Sequence, residues 1–323
     1  MTSMANRSTD YRTLVARKIA AREPFALVRD EAGRFVFFPK PIYRDPAPAG
    51  GSYFRISPWD DGHKGFPDTD REEYLENLRG LMSWLGAEVP KTVFSRTRTG
   101  RIALESLADR VFGYFLHFPA SLCFFYYTPE TGYWFGATPE ILLREDAPGR
   151  YSTMALAGTR EATVNSPWDD KNIAEHRFVV DFIISALREA GAEVRSGEMT
   201  SLRYGTIEHL HTPIAVEAPS ELFPLLVDSL NPTPALCGTP RDAARRLIDV
   251  FEPHSRGCYG GYIEFRDPVS GLRRAYVNLR CARMDLLGRW CAFAGGGIVE
   301  SSVPEDEWEE TVRKISPIVQ ALS

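Results

Sequence analysis

Residues 111–129 contain no Asp, Glu, Lys or Arg. Few folds can house an uncharged run of that length, which is long enough to raise the question of a membrane span. The run also contains His117, Pro119, Ser121 and three tyrosines, and strand-like patterns flank Pro119-Ala120-Ser121. It therefore predicts buried β structure near 112–117 and 122–127, in a chain that does not cross a membrane. Composition agrees, with 44% of residues apolar and 25% charged, the balance of a globular protein with a large core. At roughly 150 residues per domain, 323 residues allow one large domain or two small ones.

Charge narrows the partners. Lys plus Arg is 38 and Asp plus Glu is 43, a net charge of −5 that argues against a general nucleic-acid binder. An anionic small molecule would need local cations or a metal. The five cysteines are scattered, odd in number and outside zinc-ribbon spacing, so neither a disulfide framework nor a cysteine metal site is expected. The first twenty residues lack the apolar segment of a secretory signal, and a cytoplasmic location is expected.

Patterning supplies the elements. Thr69-x-x-Glu72 reads as a capping box opening a helix to residue 85. Strands are expected around 92–94, 133–136, 259–265, 274–284 and 290–294, and the TPETG turn at 128–132 closes a hairpin. Val179, Phe182, Ile183, Ala186, Leu187 and Ala190 keep helical period over 168–190. A third helix follows Thr239 as N-cap and Pro240 at the first helical position, and a last one begins near Pro304. Strands and helices do not alternate strictly, and no strand-GxGxxG-helix or P-loop occurs. An α+β fold with mostly antiparallel sheet is expected.

Several residues could carry chemistry. Glu175 lies four residues before Val179 and seven before Phe182, so it projects from the apolar stripe of its helix. A carboxylate there must be paired, protonated or metal-bound. A helix-end pair with Lys171 is the plain alternative. Glu310 and Lys314 lie opposite the stripe of Trp308, Val312, Ile315, Val319 and Leu322, either as a solvated i,i+4 pair or as one wall of a cleft. His209 and His211 share one face of a strand, as transition-metal ligands or as half-buried histidines. Gly295-Gly296-Gly297 could bring backbone N–H groups to an anion or form a tight turn. Arg280, opposite Val277, Leu279 and Cys281, is solvated or points into a concave site.

Taken in order, KTVFSR (91–96), FGATPEILLR (135–144), ALAGTR (155–160), KNIAEHRFVV (171–180), IEHL (207–210), NPTPALCGTPRDAA (231–244), EPHSRGCYGG (252–261), VNLRCA (277–282) and AGGGIVESSVPEDEWEETVRK (294–314) resemble the chorismate-binding enzymes. This is the family of anthranilate, aminodeoxychorismate, isochorismate and salicylate synthases. The resemblance implies a catalytic region over 61–323, continuous with an N-terminal segment, 1–60, that matches nothing in the family. It implies one α+β domain of mostly antiparallel sheets flanked by helices around a deep cleft, with chorismate as substrate and Mg²⁺ as cofactor. By motif position, Glu175 and Glu310 are the implied metal ligands. Arg280, Lys314, Tyr259 and the backbone near Gly158, Thr159 and Gly297 are the implied holders of substrate carboxylates. His209 matches a family histidine near the ring, which favours a substrate-site role.

Within this family, Lys91 matches the lysine that acts as general base on water in isochorismate and salicylate synthases. Anthranilate synthases use ammonia and lack it. Glu140 matches the general acid that protonates the departing C4 hydroxyl. Ala235 stands where isochorismate synthases commonly have alanine and other members threonine, whereas Asn231 departs from their usual histidine. The resemblance thus implies an isomerase most like an isochorismate synthase, adding water at C2 with loss of the C4 hydroxyl, in menaquinone, siderophore or salicylate formation. Salicylate synthase is the alternative within the family. A metal-dependent hydrolase using Glu175, His209 and His211, or an inactive binding protein, are the alternatives outside it. No Cys-His glutaminase signature is visible, and no amidotransferase subunit is expected as a partner.

Overall fold

The computed structural model describes residues 2–163, 166–204 and 207–323. The chain opens with α1 (Thr2–Ala21), β1 (Phe25–Arg29), β2 (Phe35–Phe38), β3 (Ile42–Tyr43) and β4 (Tyr53–Ser57). It continues through α2 (Arg71–Met82), β5 (Lys91–Arg101), α3 (Leu107–Leu116), β6 (Leu122–Thr128), β7 (Gly132–Thr138), β8 (Ile141–Ala147) and β9 (Arg150–Glu161). Next come α4 (Asp170–Glu189), β10 (Glu193–Ser196), β11 (Thr200–Tyr204), β12 (Ile207–Glu217), α5 (Phe223–Leu230), β13 (Gly238–Thr239) and α6 (Arg241–Phe251). The last elements are β14 (Tyr262–Arg266), β15 (Arg273–Val277), β16 (Cys281–Met284), β17 (Arg289–Ile298) and α7 (Pro304–Leu322).

These strands form an eight-stranded sheet, β13-β5-β17-β16-β7-β6-β1-β2, and a nine-stranded sheet, β10-β12-β9-β8-β15-β14-β4-β3 with β11 also on β12. Among the described residues the pairings are antiparallel apart from β3 with β4. The α+β class expected from the sequence is the class observed. The N-terminal strands belong to both sheets, since β1 pairs with β6 and β4 with β14. No helix among the described residues is long and apolar enough to cross a membrane.

Strand alternation explains the uncharged run. Ala26, Val28, Phe124 and Tyr126 face one core, which they share with Phe54, Ile56, Ile263 and Phe265 of the nine-stranded sheet. Their neighbours Phe25, Leu27, Phe125 and Tyr127 face a second core with Val15 and Ile19 of α1, Val111 and Phe115 of α3, and Ile315 and Ile318 of α7. β6 therefore has no solvent face, and successive side chains of either parity must be apolar. Residues 122–127 are the strand expected. Residues 112–117, expected as a second strand, instead belong largely to α3. Its buried Leu107, Ala108, Val111, Phe112 and Phe115 keep helical spacing, but the exposed Leu116 obscures the polar face.

Four further expectations shift. The N-cap of α2 is Asp70, not Thr69: Asp70 Oδ1 accepts from the backbone N–H of Glu72 at 2.8 Å, while Thr69 Oγ1 lies 2.9 Å from Thr97 Oγ1. Pro240 caps α6, because Thr239 is taken up in β13, opposite Lys91 of β5. The expected strand 274–284 is two strands in different sheets, β15 and β16, broken at 278–280. Gly295, Gly296 and Gly297 lie within β17 opposite Ser95, Phe94 and Val93, so they form no tight turn.

If Asp70 caps α2 as described, Asp70→Ala should lower unfolding free energy by about 1 kcal/mol. Chemical denaturation checks it, and an unchanged midpoint would return the cap to Thr69.

Candidate active site

The glycine run of β17 fixes where the other elements can approach. A Cβ on Gly297 would come within 2.2 Å of Glu175 Oε1 and 3.0 Å of Lys91 Cε, and one on Gly296 within 3.4 Å of Glu310 Oε1. A side chain at 297 would overlap the Glu175 carboxylate of α4, and one at 296 would crowd Glu307 of α7 at 3.0 Å. Lys91, at the head of β5, is 0% exposed, and its Nζ lies 3.0 Å from Glu175 Oε1. No aligned hydrogen-bond acceptor reaches that Nζ among the described residues, although an ammonium carries three donors. Glu175 does project from the apolar stripe of α4, and its partner here is Lys91. The side chain of Lys171, the alternative partner, lies outside the described residues.

Glu310 and Lys314 form the i,i+4 pair that their spacing suggests, at 2.5 Å. They do not sit on a solvated face. Both line a cleft, and Lys314 Nζ also donates to the Gly295 carbonyl at 2.9 Å. Glu307, one turn earlier and buried, accepts from Ser302 Oγ at 2.7 Å. Its i,i+3 spacing sets it beside Glu310, and both carboxylates approach Gly296.

The cleft encloses about 670 Å³, open solvent at its mouth included, and draws walls from both sheets. All the site residues implied by the resemblance line it except Lys91, whose ammonium meets it through Glu175. Glu140 follows β7 and is buried, with Thr233 Oγ1 donating to its Oε1 at 3.4 Å. Burial pushes its carboxyl up to about 7, against the pull of Thr233, Lys91, Arg280 and Lys314. Arg280 has a φ of 51°, in the left-handed region, and its Nη2 donates to His209 Nε2 at 2.9 Å. A guanidinium can only donate, so His209 Nε2 accepts and Nδ1 carries the hydrogen toward the Gly158 carbonyl, 3.0 Å away. Burial, then the charges of Arg280 and Lys314, hold this imidazole neutral, well below the usual histidine range.

His209 is thus engaged at both ring nitrogens, while His211 lies beside Thr200 Oγ1 at 3.3 Å. The two do not form a transition-metal pair. Gly158 has a φ of 80° and is the extra residue of a bulge in β9, where Thr159 faces His209 and Ala157 faces Leu210. The bulge turns Thr159 toward the cleft, with its N–H donating to Asn172 Oδ1 at 3.1 Å. Ala235, Leu236, Leu279 and Phe293 complete an apolar wall, and Tyr259 stacks on Phe293 with centroids 5.3 Å apart. Behind that wall, Arg256 forks onto Glu252 and donates to the carbonyls of Leu236 at 2.7 Å and Val93 at 3.2 Å. Thr233, Phe293, Glu252 and Arg256 carry no pattern that isolates them in the sequence, because their places depend on neighbours from distant segments.

The cleft therefore gathers three cations, two lysine-paired carboxylates, one carboxyl poised near neutrality and an apolar wall. Such a set suits a small, flat acid. The family model described as chorismate binding enzyme matches residues 68–323. The chain belongs to this family. Isochorismate synthase EntC of Escherichia coli (strain K12) is 35% identical over 216 residues, covering 63% of this chain and 54% of that protein. Anthranilate synthase component 1 of Aeropyrum pernix is 33% identical over 202 residues, covering 58% of this chain and 45% of that protein. Among solved structures, MenF, the menaquinone-specific isochorismate synthase from Escherichia coli, superposes with a TM-score of 0.69 at 24% identity, covering 86% of this chain and 65% of that chain. The chain spans about half the length of the curated relatives it matches. Identity alone does not separate the chemistries within the chorismate-binding enzymes.

Glu140 also yields a stability test. Its folded value, about 7, lies above the ordinary 4.5, so its protonated form is favoured by folding. That advantage is complete below the unfolded value and is lost as pH rises through the folded one. Between about pH 5 and about pH 8 wild type should lose roughly 2 kcal/mol that Glu140→Gln keeps. Urea denaturation of both proteins at the two pH values measures the difference, and effects independent of pH cancel. A gap that stays constant with pH would show that Glu140 ionises normally.

Proposed function

We propose that this protein is a Mg²⁺-dependent isochorismate synthase, interconverting chorismate and isochorismate. The observation that carries the reading is the pair of proton-transfer groups at one cleft: a solvent-free lysine that meets it through Glu175, and a buried carboxyl with a value near 7. Water addition with loss of a hydroxyl needs a base at one carbon and an acid at another, each with a tuned proton affinity. In its neutral amine form Lys91 takes a proton from water as the water oxygen bonds to C2, and the ammonium so formed lies against the Glu175 carboxylate, 3.0 Å away. The ring double bonds shift, the C4–oxygen bond breaks, and Glu140 gives its proton to the leaving hydroxyl. The proton gained by Lys91 equals the one given by Glu140, and once product leaves, proton exchange through the cleft, by way of Glu175 for Lys91, returns both groups to their starting states.

The substrate's carboxylates require cations. Arg280 and Lys314, with Tyr259, the Thr159 hydroxyl and the backbone at Gly158 and Gly297, surround the apolar wall with polar groups. His209 keeps Arg280 turned into the cleft. Glu175 and Glu310 fit a hard cation that takes one or two carboxylates and completes its shell with water and substrate oxygens. Lysines now balance both carboxylates, and the described residues hold no group of three or more His, Cys, Asp or Glu suited to a closed metal cage. When bound there, Mg²⁺ supplies Lewis-acid charge to the ring carboxylate. Ala235 leaves an apolar wall without a hydroxyl beside the ring, which favours release of isochorismate over further elimination.

With chorismate and Mg²⁺, the protein should yield a reversible chorismate–isochorismate mixture with little salicylate, and no anthranilate when ammonium is added. EDTA should abolish turnover and Mg²⁺ restore it. Chromatography decides: stoichiometric salicylate with pyruvate would make it a salicylate synthase, and full activity in excess chelator would remove the metal from the reading.

Lys91→Ala and Glu140→Gln should each lower kcat by on the order of 10²–10⁴ while circular dichroism stays that of the wild type. Near-normal water addition by the Lys91 variant would mean that another group is the base.

A further inference from the structure

The chain changes sheets at residues 278–280, between β15 and β16, and the two ends of this crossing are held differently. At Asn278, the backbone N–H donates to Gly261 at 2.8 Å, the carbonyl accepts from Gly260 N–H at 2.9 Å, and Nδ2 donates to Tyr126 Oη at 3.1 Å. At Arg280, the left-handed residue, the carbonyl accepts from Ala137 N–H at 3.2 Å and from Tyr114 Oη at 3.0 Å. Tyr114 is no part of the cleft. It belongs to α3, is buried, and packs its ring against Phe118 and Phe135. A side chain with a Cβ occupies the left-handed region at a cost and stays there only when its surroundings over-determine it. Tyr114 supplies one of those constraints from the far side of the eight-stranded sheet.

We propose that Tyr114 is a positioning residue for the site: its hydroxyl clamps the left-handed peptide of Arg280, and so sets the guanidinium against His209 and the substrate's carboxylate. The role of Arg280 toward substrate rests on the function proposed above, whereas the link from Tyr114 through Arg280 to His209 does not. The clamp acts on binding. Losing it lets the Arg280 peptide relax, and the guanidinium at the end of a long side chain moves with it.

Tyr114→Phe keeps the ring and removes the hydroxyl, and Tyr133→Phe is the control. Tyr133 is a buried tyrosine of the same core whose hydroxyl reaches the Ile19 carbonyl at 3.4 Å. In Tyr114→Phe the ¹⁵N resonance of His209 Nε2 should shift in the substrate-free protein, and KM for chorismate should rise about threefold to tenfold with kcat little changed. Tyr133→Phe should do neither, and in an Arg280→Ala background Tyr114→Phe should add nothing to KM. An unmoved His209 resonance, or the same rise in KM without Arg280, would overturn the proposal and leave Tyr114 a core residue. If neither protein turns over chorismate, the function proposed above fails, and the His209 resonance alone decides the clamp.

Discussion

Lys91 has no contact with solvent, and an ammonium so placed costs several kcal/mol unless a carboxylate lies against it. Much of the site's architecture follows from meeting that demand. Glu175 must leave the apolar stripe of α4 pointing inward, and β17 must carry glycine at 297, where any Cβ would collide with the Glu175 carboxylate. The same strand admits Glu310 and Lys314 from α7. Two lysine–glutamate pairs therefore meet at a stretch of β-strand without side chains, one joining β5 to α4 and the other within α7. Each carboxylate lies against a lysine at the wall of the cleft.

The third carboxyl shows the opposite treatment. Glu140 has one weak hydroxyl donor, and the nearest cations do not fully offset its burial, so it keeps its proton toward neutrality. Burial thus raises the proton affinity of this one carboxyl into the range in which a group can give a proton near neutral pH. The cost falls on stability, because a group poised for proton transfer is ionised only reluctantly within the fold. A chain with net charge −5 can still receive an anion here, since the local balance of Arg280, Lys314 and Lys91 differs from that of the whole surface.

Some of this was legible in the amino-acid order. Glu175 stood out because an acid in an apolar helical stripe needs a partner, and it has one. The Glu310–Lys314 spacing predicted the pair, but periodicity reports only which side of a helix a residue occupies, not what covers that side. The first half of the uncharged run misread as strand because α3 is short and exposes Leu116. The last half read correctly because β6 is apolar on both faces. The expected strand over 274–284 concealed a crossing between sheets: residues with strand-like preference on both sides of 278–280 give no sign that a left-handed arginine separates them.

The sequence by itself determined the class of the fold, the course of α4 and α7, the β6–β7 hairpin and the motif residues of the chorismate-binding family. These depend on local preference and periodicity, which neighbouring residues carry. Tertiary structure alone decided that Lys91 meets Glu175, that Arg280 turns onto His209 with Tyr114 at its back, and that Glu140 sits near neutrality. Each of these is an electrostatic or steric outcome of groups far apart in the chain. Desolvation and charge pairing act through space, and they take their values only once the two sheets and their helices have closed around the cleft.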